Sequence, residues 1–281
     1  MKKGPAGRRL ADRASLLLRR GSDRTFPRPD LKVIARQLRV ALTPRRAMLK
    51  ATLANGAVVY GRNRAGFGGR AVYIYGDKYE PEFEHLDRFL GDTGVYIEVG
   101  ANTGKYSIKA AKHYANDGVV IAIEPNPEVL AILHRSVRAN GLTNLRLLNF
   151  CIGDRKSSGL MWMNNRMPVM FSLVKNDDEA EAFSTLTLTL DELVSWEGLD
   201  RLDFLKICAE GAEGQVLAGA RETITKYRPV IQIEDLQVDA PIEQLDYTCF
   251  KAPAGSISKV WIPNEHRNLE VAKQLGWNVV P

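Results

Sequence analysis

The chain has 281 residues, 45% hydrophobic and 26% charged, which suits a globular protein with one full α/β core and some chain left over. No apolar run approaches the roughly 18 residues of a helical bilayer span, and Leu16-Leu17-Leu18 is too short for a signal-peptide core, so a cytoplasmic location is expected. Three scattered cysteines (Cys151, Cys208 and Cys249) with no Cys-x-x-Cys pair argue for a reducing compartment and against a zinc site.

Charge is distributed unevenly. Residues 1–50 carry 15 Lys or Arg against Asp12, Asp23 and Asp30, a net +12, while the rest of the chain is −6. This basic N-terminal extension contains Pro27, Pro29 and Pro44. Within it, Leu31, Ile34, Leu38 and Leu42 recur at helical spacing among Lys32, Arg36, Arg39, Arg45 and Arg46. Such a helix could make peripheral contact with an anionic membrane, and nucleic acid would attract it too. It could equally dock on the body as one helix of a solvated tail, and the composition also fits a transit peptide.

Residues 51–92 read as a small β cap and a linker helix. Val58-Val59-Tyr60 and Ala71-Val72-Tyr73-Ile74-Tyr75 are expected to be antiparallel strands, and Phe83, Leu86, Phe89 and Leu90 to line one face of a helix over 82–90. Residues 93–281 form the main domain. Strands at 95–99, 119–123 and 145–151 alternate with helices at 104–115 and 127–140, the rhythm of a doubly wound α/β sheet. Residues 153–189 break it and read as β-hairpins on the sheet edge. Met161, Met163, Met167 and Met170 there could line an acceptor pocket or fill an irregular core. The parallel pattern resumes with a strand at 203–208, a helix at 214–227 and a strand at 230–233 ending on Glu234-Asp235.

The first βα turn carries the chemistry. Val95-Tyr96-Ile97-Glu98-Val99-Gly100-Ala101-Asn102-Thr103-Gly104-Lys105-Tyr106-Ser107 leads to a strand that ends on Glu124-Pro125-Asn126-Pro127. A P-loop needs four residues between its glycines and then Lys-Ser/Thr, but three intervene here and Tyr106 takes the hydroxyl position. A dinucleotide turn needs a middle glycine, and Asn102 stands there. S-adenosylmethionine, which has no phosphate, remains. Its methionine part would lie along the Gly100–Gly104 backbone, and Glu124 would accept hydrogen bonds from both ribose hydroxyls. Asp154, after the third strand, could accept from the adenine amine or serve as a turn residue beside Gly153.

Tyr79-Glu80-Pro81-Glu82, Ile97 to Gly104, Glu124 to Pro127, Thr189-Leu190-Asp191, Leu205-Lys206-Ile207-Cys208-Ala209-Glu210-Gly211-Ala212-Glu213 and Val216 to Ala220 resemble, in order, blocks of the FkbM family of S-adenosylmethionine-dependent methyltransferases. The resemblance spans roughly residues 75 to 250. It implies a Rossmann-like methyltransferase fold and cofactor contacts around Glu98, Gly100, Asn102, Gly104 and Glu124. Two positions depart from the family: Glu98 replaces the usual Asp, and Cys208 removes a carboxylate from the strand end nearest the expected chemistry. Glu210 and Glu213 are therefore the expected general bases for a hydroxyl acceptor on a glycan, a lipid-linked molecule or a small molecule. No metal is expected to take part. Both acids could instead cap the nearby helix. Cys208 leaves open a degenerate fold that binds without catalysis, and the basic arm leaves open a nucleic-acid methyltransferase. Lys206 is expected to pair with an acid or face the sheet edge, and the four histidines form no spaced metal pair.

Overall fold

The computed structural model describes residues 30–64, 68–115, 117–163, 171–172, 181–234, 242, 245–253, 256 and 258–280. Residues 1–29 and the expected pocket residues Met167 and Met170 lie outside that set, as does Asp235. No helix among the described residues is long and apolar enough to cross a membrane.

The N-terminal elements are helix α1 (Leu31–Leu42), a hairpin of β1 (Met48–Thr52) and β2 (Val58–Arg62), and helix α2 (Gly69–Tyr75). The hairpin begins inside the stretch read as extension, and its second partner differs from expectation. Residues 71–75, read as a strand, form α2. A five-residue apolar run does not distinguish strand from helix by itself, and packing decides here: a Cβ at Gly69 would overlap the backbone of Gly61, so α2 starts pressed against β2. Val72 and Ile74 are then buried. A 3-10 turn over Gly76–Tyr79 leads to two short helices, α3 (Pro81–Glu84) and α4 (Leu86–Phe89), where one helix was expected. His85, at φ −99° and ψ 8°, leaves helical geometry between them.

From β3 (Val95–Val99) the expected rhythm appears: α5 (Lys105–Tyr114), β4 (Val119–Ile123), α6 (Pro127–Asn140) and β5 (Leu145–Leu148). All five residues of β3 are buried, as befits the central strand of a parallel sheet covered on both faces. Here the third strand stops at Leu148 rather than continuing to 151. Asn149 turns the chain by donating its side-chain amide to the carbonyls of Glu124 (2.8 Å) and Pro125 (2.9 Å). Strands β6 (Cys151–Ile152), β7 (Ser157–Met163), β8 (Phe171–Ser172) and β9 (Glu181–Leu188) follow. They make a separate four-stranded sheet in the order β6-β9-β7-β8, not an extension of the main sheet's edge.

The chain returns through α7 (Leu190–Trp196), β10 (Phe204–Ile207), α8 (Glu213–Ala218), α9 (Arg221–Tyr227) and β11 (Val230–Glu234), and ends with β12 (Tyr247–Lys251), β13 (Ser258–Pro263), α10 (Asn268–Gln274) and β14 (Asn278–Val280). The helix expected over 214–227 is split at Gly219, where a Cβ would strike the Gly153 carbonyl oxygen. The main sheet runs β14-β12-β13-β11-β10-β3-β4-β5, parallel from β5 through β11, with β13 inserted antiparallel between β11 and β12. Alternate residues of each strand serve opposite layers. Tyr96, Val120, Phe204 and Val230 pack with α5 and α6 residues such as Tyr106 and Leu133, while Ile97, Ile121, Leu205 and Ile231 pack with α7, α8 and α9. The expected doubly wound α/β architecture is therefore present. The chain leaves β3, β4 and β10 at one edge, where ligands of such sheets collect.

Candidate functional site

The turn after β3 is built on left-handed residues. Gly100 (φ 77°), Asn102 (φ 52°) and Gly104 (φ 75°) all lie where side chains with a Cβ are disfavoured. Two of these glycines also answer to close approach. A Cβ at Gly100 would collide with the Cys208 carbonyl oxygen, and one at Gly104 with the Leu133 side chain. The turn is thus clamped between β10 and α6. Gly68, at the start of α2, lies so close to Thr103 and Asn102 that a Cβ there would overlap their side chains. The N-terminal elements therefore close over the turn from outside.

Glu124 follows β4 directly and is 5% exposed. Its Oε2 accepts from the Asn102 amide and its Oε1 from the Asn126 amide, both at 2.8 Å. Burial, opposed by these two hydrogen bonds, pushes its pKa up to about 7, and the nearby charges of Glu98 and Glu210 act in the same direction as burial. A carboxylate oxygen has two lone pairs. Each oxygen of Glu124 therefore keeps one acceptor position beyond its amide, which fits a ribose diol approaching the glycine turn. Asn126 then caps α6 by accepting from Glu128 N.

Glu98 is 1% exposed, and both of its oxygens are engaged inside the protein. Oε2 accepts from the Ser107 amide at 2.9 Å and from the Ser107 hydroxyl, and Oε1 lies 3.5 Å from Lys206 Nζ. Burial raises its pKa. Glu98 ties β3 to α5 and β10 beneath the turn. Asp154, after the third strand, is exposed, and its carboxylate lies 3.7 Å from Arg155.

Of the two expected bases, the structure separates one from the other. Glu213, the first residue of α8, accepts from Ala209 N at 2.9 Å and from Gly211 N at 3.0 Å with its other oxygen. It is buried and fastens the 208–213 loop onto itself rather than capping the helix. Glu210 sits at the tip of the same loop, exposed and at φ 50°. Its charge lies near enough to raise the pKa of both Glu124 and Cys208. The Cys208 thiol is held well above its usual pKa, chiefly by burial, and stays protonated near neutrality. Among the described residues no three His, Cys, Asp or Glu side chains are grouped to hold a metal ion.

Lys206 pairs with an acid, as one of its two expected placements had it, and belongs to a buried polar row whose other members the sequence did not join to it. The parallel register sets Glu98 opposite Lys206 and Lys206 opposite Gln232 on three adjacent strands. Burial works against the Lys206 charge, but the surrounding acids, including Glu98, Glu234 and Glu80, hold its pKa above the ordinary value. Tyr106 OH receives a hydrogen bond from Gln232 Nε2 (3.2 Å) and donates to Glu80 Oε2 (2.8 Å), which also accepts from Lys105 Nζ at 3.0 Å. Glu82 takes a hydrogen bond from the Ser256 hydroxyl and is pushed up to about 7, mainly by burial. The only signal in the sequence was a charged residue inside each of two apolar runs.

Residues 98–248 match the Methyltransferase FkbM domain family, more than half of the chain, and the chain belongs to that family. The match covers the glycine turn, Glu124 and the Cys208–Glu213 loop. Among solved structures, an FkbM methyltransferase from Methylobacillus flagellatus KT is 17% identical, with a TM-score of 0.45 over 68% of this chain. The chain covers 52% of that protein's length. A SAM-dependent methyltransferase from Aquifex aeolicus is 14% identical, with a TM-score of 0.37 over 65% of this chain and 88% of its own. A Pyrococcus abyssi tRNA (uracil-54, C5)-methyltransferase in complex with S-adenosyl-L-homocysteine is 11% identical, with a TM-score of 0.43 over 76% and 43% respectively. No curated protein matches the sequence significantly. The fold is Rossmann-like, as the family resemblance implied.

Proposed function

We propose that the protein is an S-adenosylmethionine-dependent methyltransferase acting on a hydroxyl of a glycan, a lipid-linked molecule or another small acceptor. The observation that carries this reading is the pairing of Glu124 with the glycine turn: the carboxylate is locked by two backbone amides and keeps two acceptor positions beside a backbone narrowed by Gly100 and Gly104. A phosphate-free nucleoside suits such a site. The cofactor supplies an electrophilic methyl group on a sulfonium centre. Glu124 orients its ribose, and the left-handed turn leaves room along the backbone. Glu98, held by Ser107 and Lys206, keeps the turn in register with β10.

The acceptor hydroxyl must lose a proton as the methyl group moves, and Glu210 is the base available. It stands exposed on the loop that Glu213 fastens. A positioned base contributes about 10²–10⁴ in rate. Calorimetry with S-adenosylmethionine tests the cofactor: the wild type should bind it, and absence of binding would overturn the reading. A labelled-methyl assay on lipid, glycan and RNA fractions then identifies the acceptor class. Methyl transfer to RNA alone would replace the hydroxyl-acceptor reading with the nucleic-acid one.

Cys208 favours a second reading. Its protonated thiol stands where the family's acid would be, so a binding module without catalysis is the competing function. An inactive wild type combined with activity in Cys208→Asp would establish that alternative.

A further inference from the structure

Helix α1 is fastened to the body by one face and bare on the opposite one. Val40 is buried with Leu49 and Ile74, and Val33 packs against the same cluster. Gln37 Nε2 donates to the Tyr75 hydroxyl at 3.1 Å, and Arg36 Nη1 donates to the Ile74 carbonyl at 3.2 Å. Asn63 Nδ2 holds the end of the helix through the carbonyls of Val40 (2.8 Å) and Thr43 (2.7 Å). At about 100° per residue, Leu31, Ile34, Leu38 and Leu42 fall on the side away from these contacts. They are 84%, 40%, 61% and 86% exposed, and they make up half of the exposed large apolar side chains among the described residues. An ordinary surface helix turns its leucines inward. This one turns them outward.

Charge decides what covers that face. Lys32 and Arg39 lie beside the stripe, Arg45 and Arg46 follow it, and no acid occurs from residue 31 to residue 50. Arg46 opens onto a cavity of about 570 Å³ whose lining includes Arg62, Arg64 and Arg135 against Glu128 as its one acid. Residues 1–29 add nine more basic residues against two acids. A second copy of the chain docked on the stripe would bring these cations face to face. An anionic lipid surface would neutralise them while its acyl region took up the leucines.

We propose that α1 lies in the headgroup boundary of an anionic bilayer, with Leu31, Ile34, Leu38 and Leu42 immersed and the docked face holding the methyltransferase body at the surface. This goes beyond the cofactor reading and does not rest on it. The test uses the full chain with sedimenting vesicles of phosphatidylcholine, with and without phosphatidylglycerol. The wild type should bind the anionic vesicles and fade with salt, and Leu38→Glu combined with Leu42→Glu should weaken binding at least about tenfold. Leu38→Ser with Leu42→Ser should weaken it too, which guards against a variant whose helix is lost. Lys32→Gln with Arg39→Gln should reduce binding to anionic vesicles only.

Failure of the wild type to bind, or binding unchanged in the leucine variants, would overturn the proposal. The second result would leave the arm's charge alone responsible. If light scattering instead shows a dimer that the leucine variants dissociate, the face is an interface between copies and the proposal falls. S-adenosylmethionine affinity should be the same in all variants, so loss of the cofactor reading would show separately.

Discussion

At the end of β4 the Glu124 carboxylate is held by backbone amides alone, whereas across β3, β10 and β11 the buried polar groups are held mainly by other side chains. The first arrangement draws on neighbours in sequence: Asn126 is two residues away, and Asn102 belongs to the turn that the β3–β4 pairing delivers. The second joins Glu98, Lys206, Gln232, Tyr106 and Glu80, residues brought together only by strand register and by α3 and α5 packing over the sheet. Backbone donors are fixed by the fold and leave a carboxylate's remaining acceptor positions for a ligand. Side-chain partners use those positions up. On this molecule the Glu124 carboxylate at the β4 end keeps acceptor positions open, and the Glu98–Lys206 row beneath it is closed on itself.

The sharpest way to break that contrast is to remove the cation of the buried row. Lys206→Met would leave Glu98 with Ser107 as its remaining partner, and removing one member of a buried pair costs about 3–5 kcal/mol. The Glu98 pKa is already raised by burial and would rise further without the lysine. A carboxyl whose folded pKa lies above its unfolded value contributes stability at low pH and loses it as pH rises through the folded pKa. The variant's loss in urea denaturation should therefore be larger at pH 8 than at pH 5. An equal loss at both would mean that Lys206 serves packing alone.

Gly100→Ala attacks the other side of the contrast. It combines a left-handed residue with a collision against the Cys208 carbonyl, and such a change should cost about 2–4 kcal/mol. Gly141→Ala is the control. It has φ 63° with open space around it, so its cost should be about 1 kcal/mol from backbone conformation alone. Similar melting temperatures for the two variants would show that β10 does not clamp the turn.

The same contrast separates what could be read in the sequence from what could not. Gly100, Gly104 and Glu124 were legible because a turn followed by a strand-end acid is a local pattern with fixed spacing. The α5, β4 and α6 segments were legible because burial imposes their periodicity. Residues 71–75 were misread because their apolar run fits either period, and contact with Gly61 settles it. That Lys206 would pair with an acid was legible from its place inside an apolar strand, but not that the acid is Glu98, since that partner is set by register across more than a hundred residues. Glu210 and Glu213 looked equivalent, because no pattern tells which side chain turns back onto its own loop. In the predicted active loop, Glu210→Gln should lower turnover about 10²-fold or more with methyl-donor binding retained. Glu213→Gln should instead lower thermal stability. Equal turnover losses with equal stability would return Glu213 to the role of base.

A smaller effect concerns Glu124 itself. In the proposed binding mode Glu124→Ala would remove two charged hydrogen bonds to the ribose, each worth about 1.5–3 kcal/mol, and should weaken S-adenosylmethionine binding at least tenfold. The wild type should add a pH dependence. Its carboxyl titrates at about 7 in the free protein because burial penalises the charge, whereas hydroxyl donors favour the ionised form. Binding then requires release of a proton below pH 7, and affinity should climb by up to about tenfold per pH unit before levelling off above it. Glu124→Gln cannot titrate, so calorimetry from pH 5.5 to 8 should give a flatter profile than the wild type. The donor's own amino group titrates equally in both proteins, so the difference between the two profiles isolates the carboxyl. Parallel profiles would mean that Glu124 is ionised before the ligand arrives and that the amides of Asn102 and Asn126 outweigh its burial.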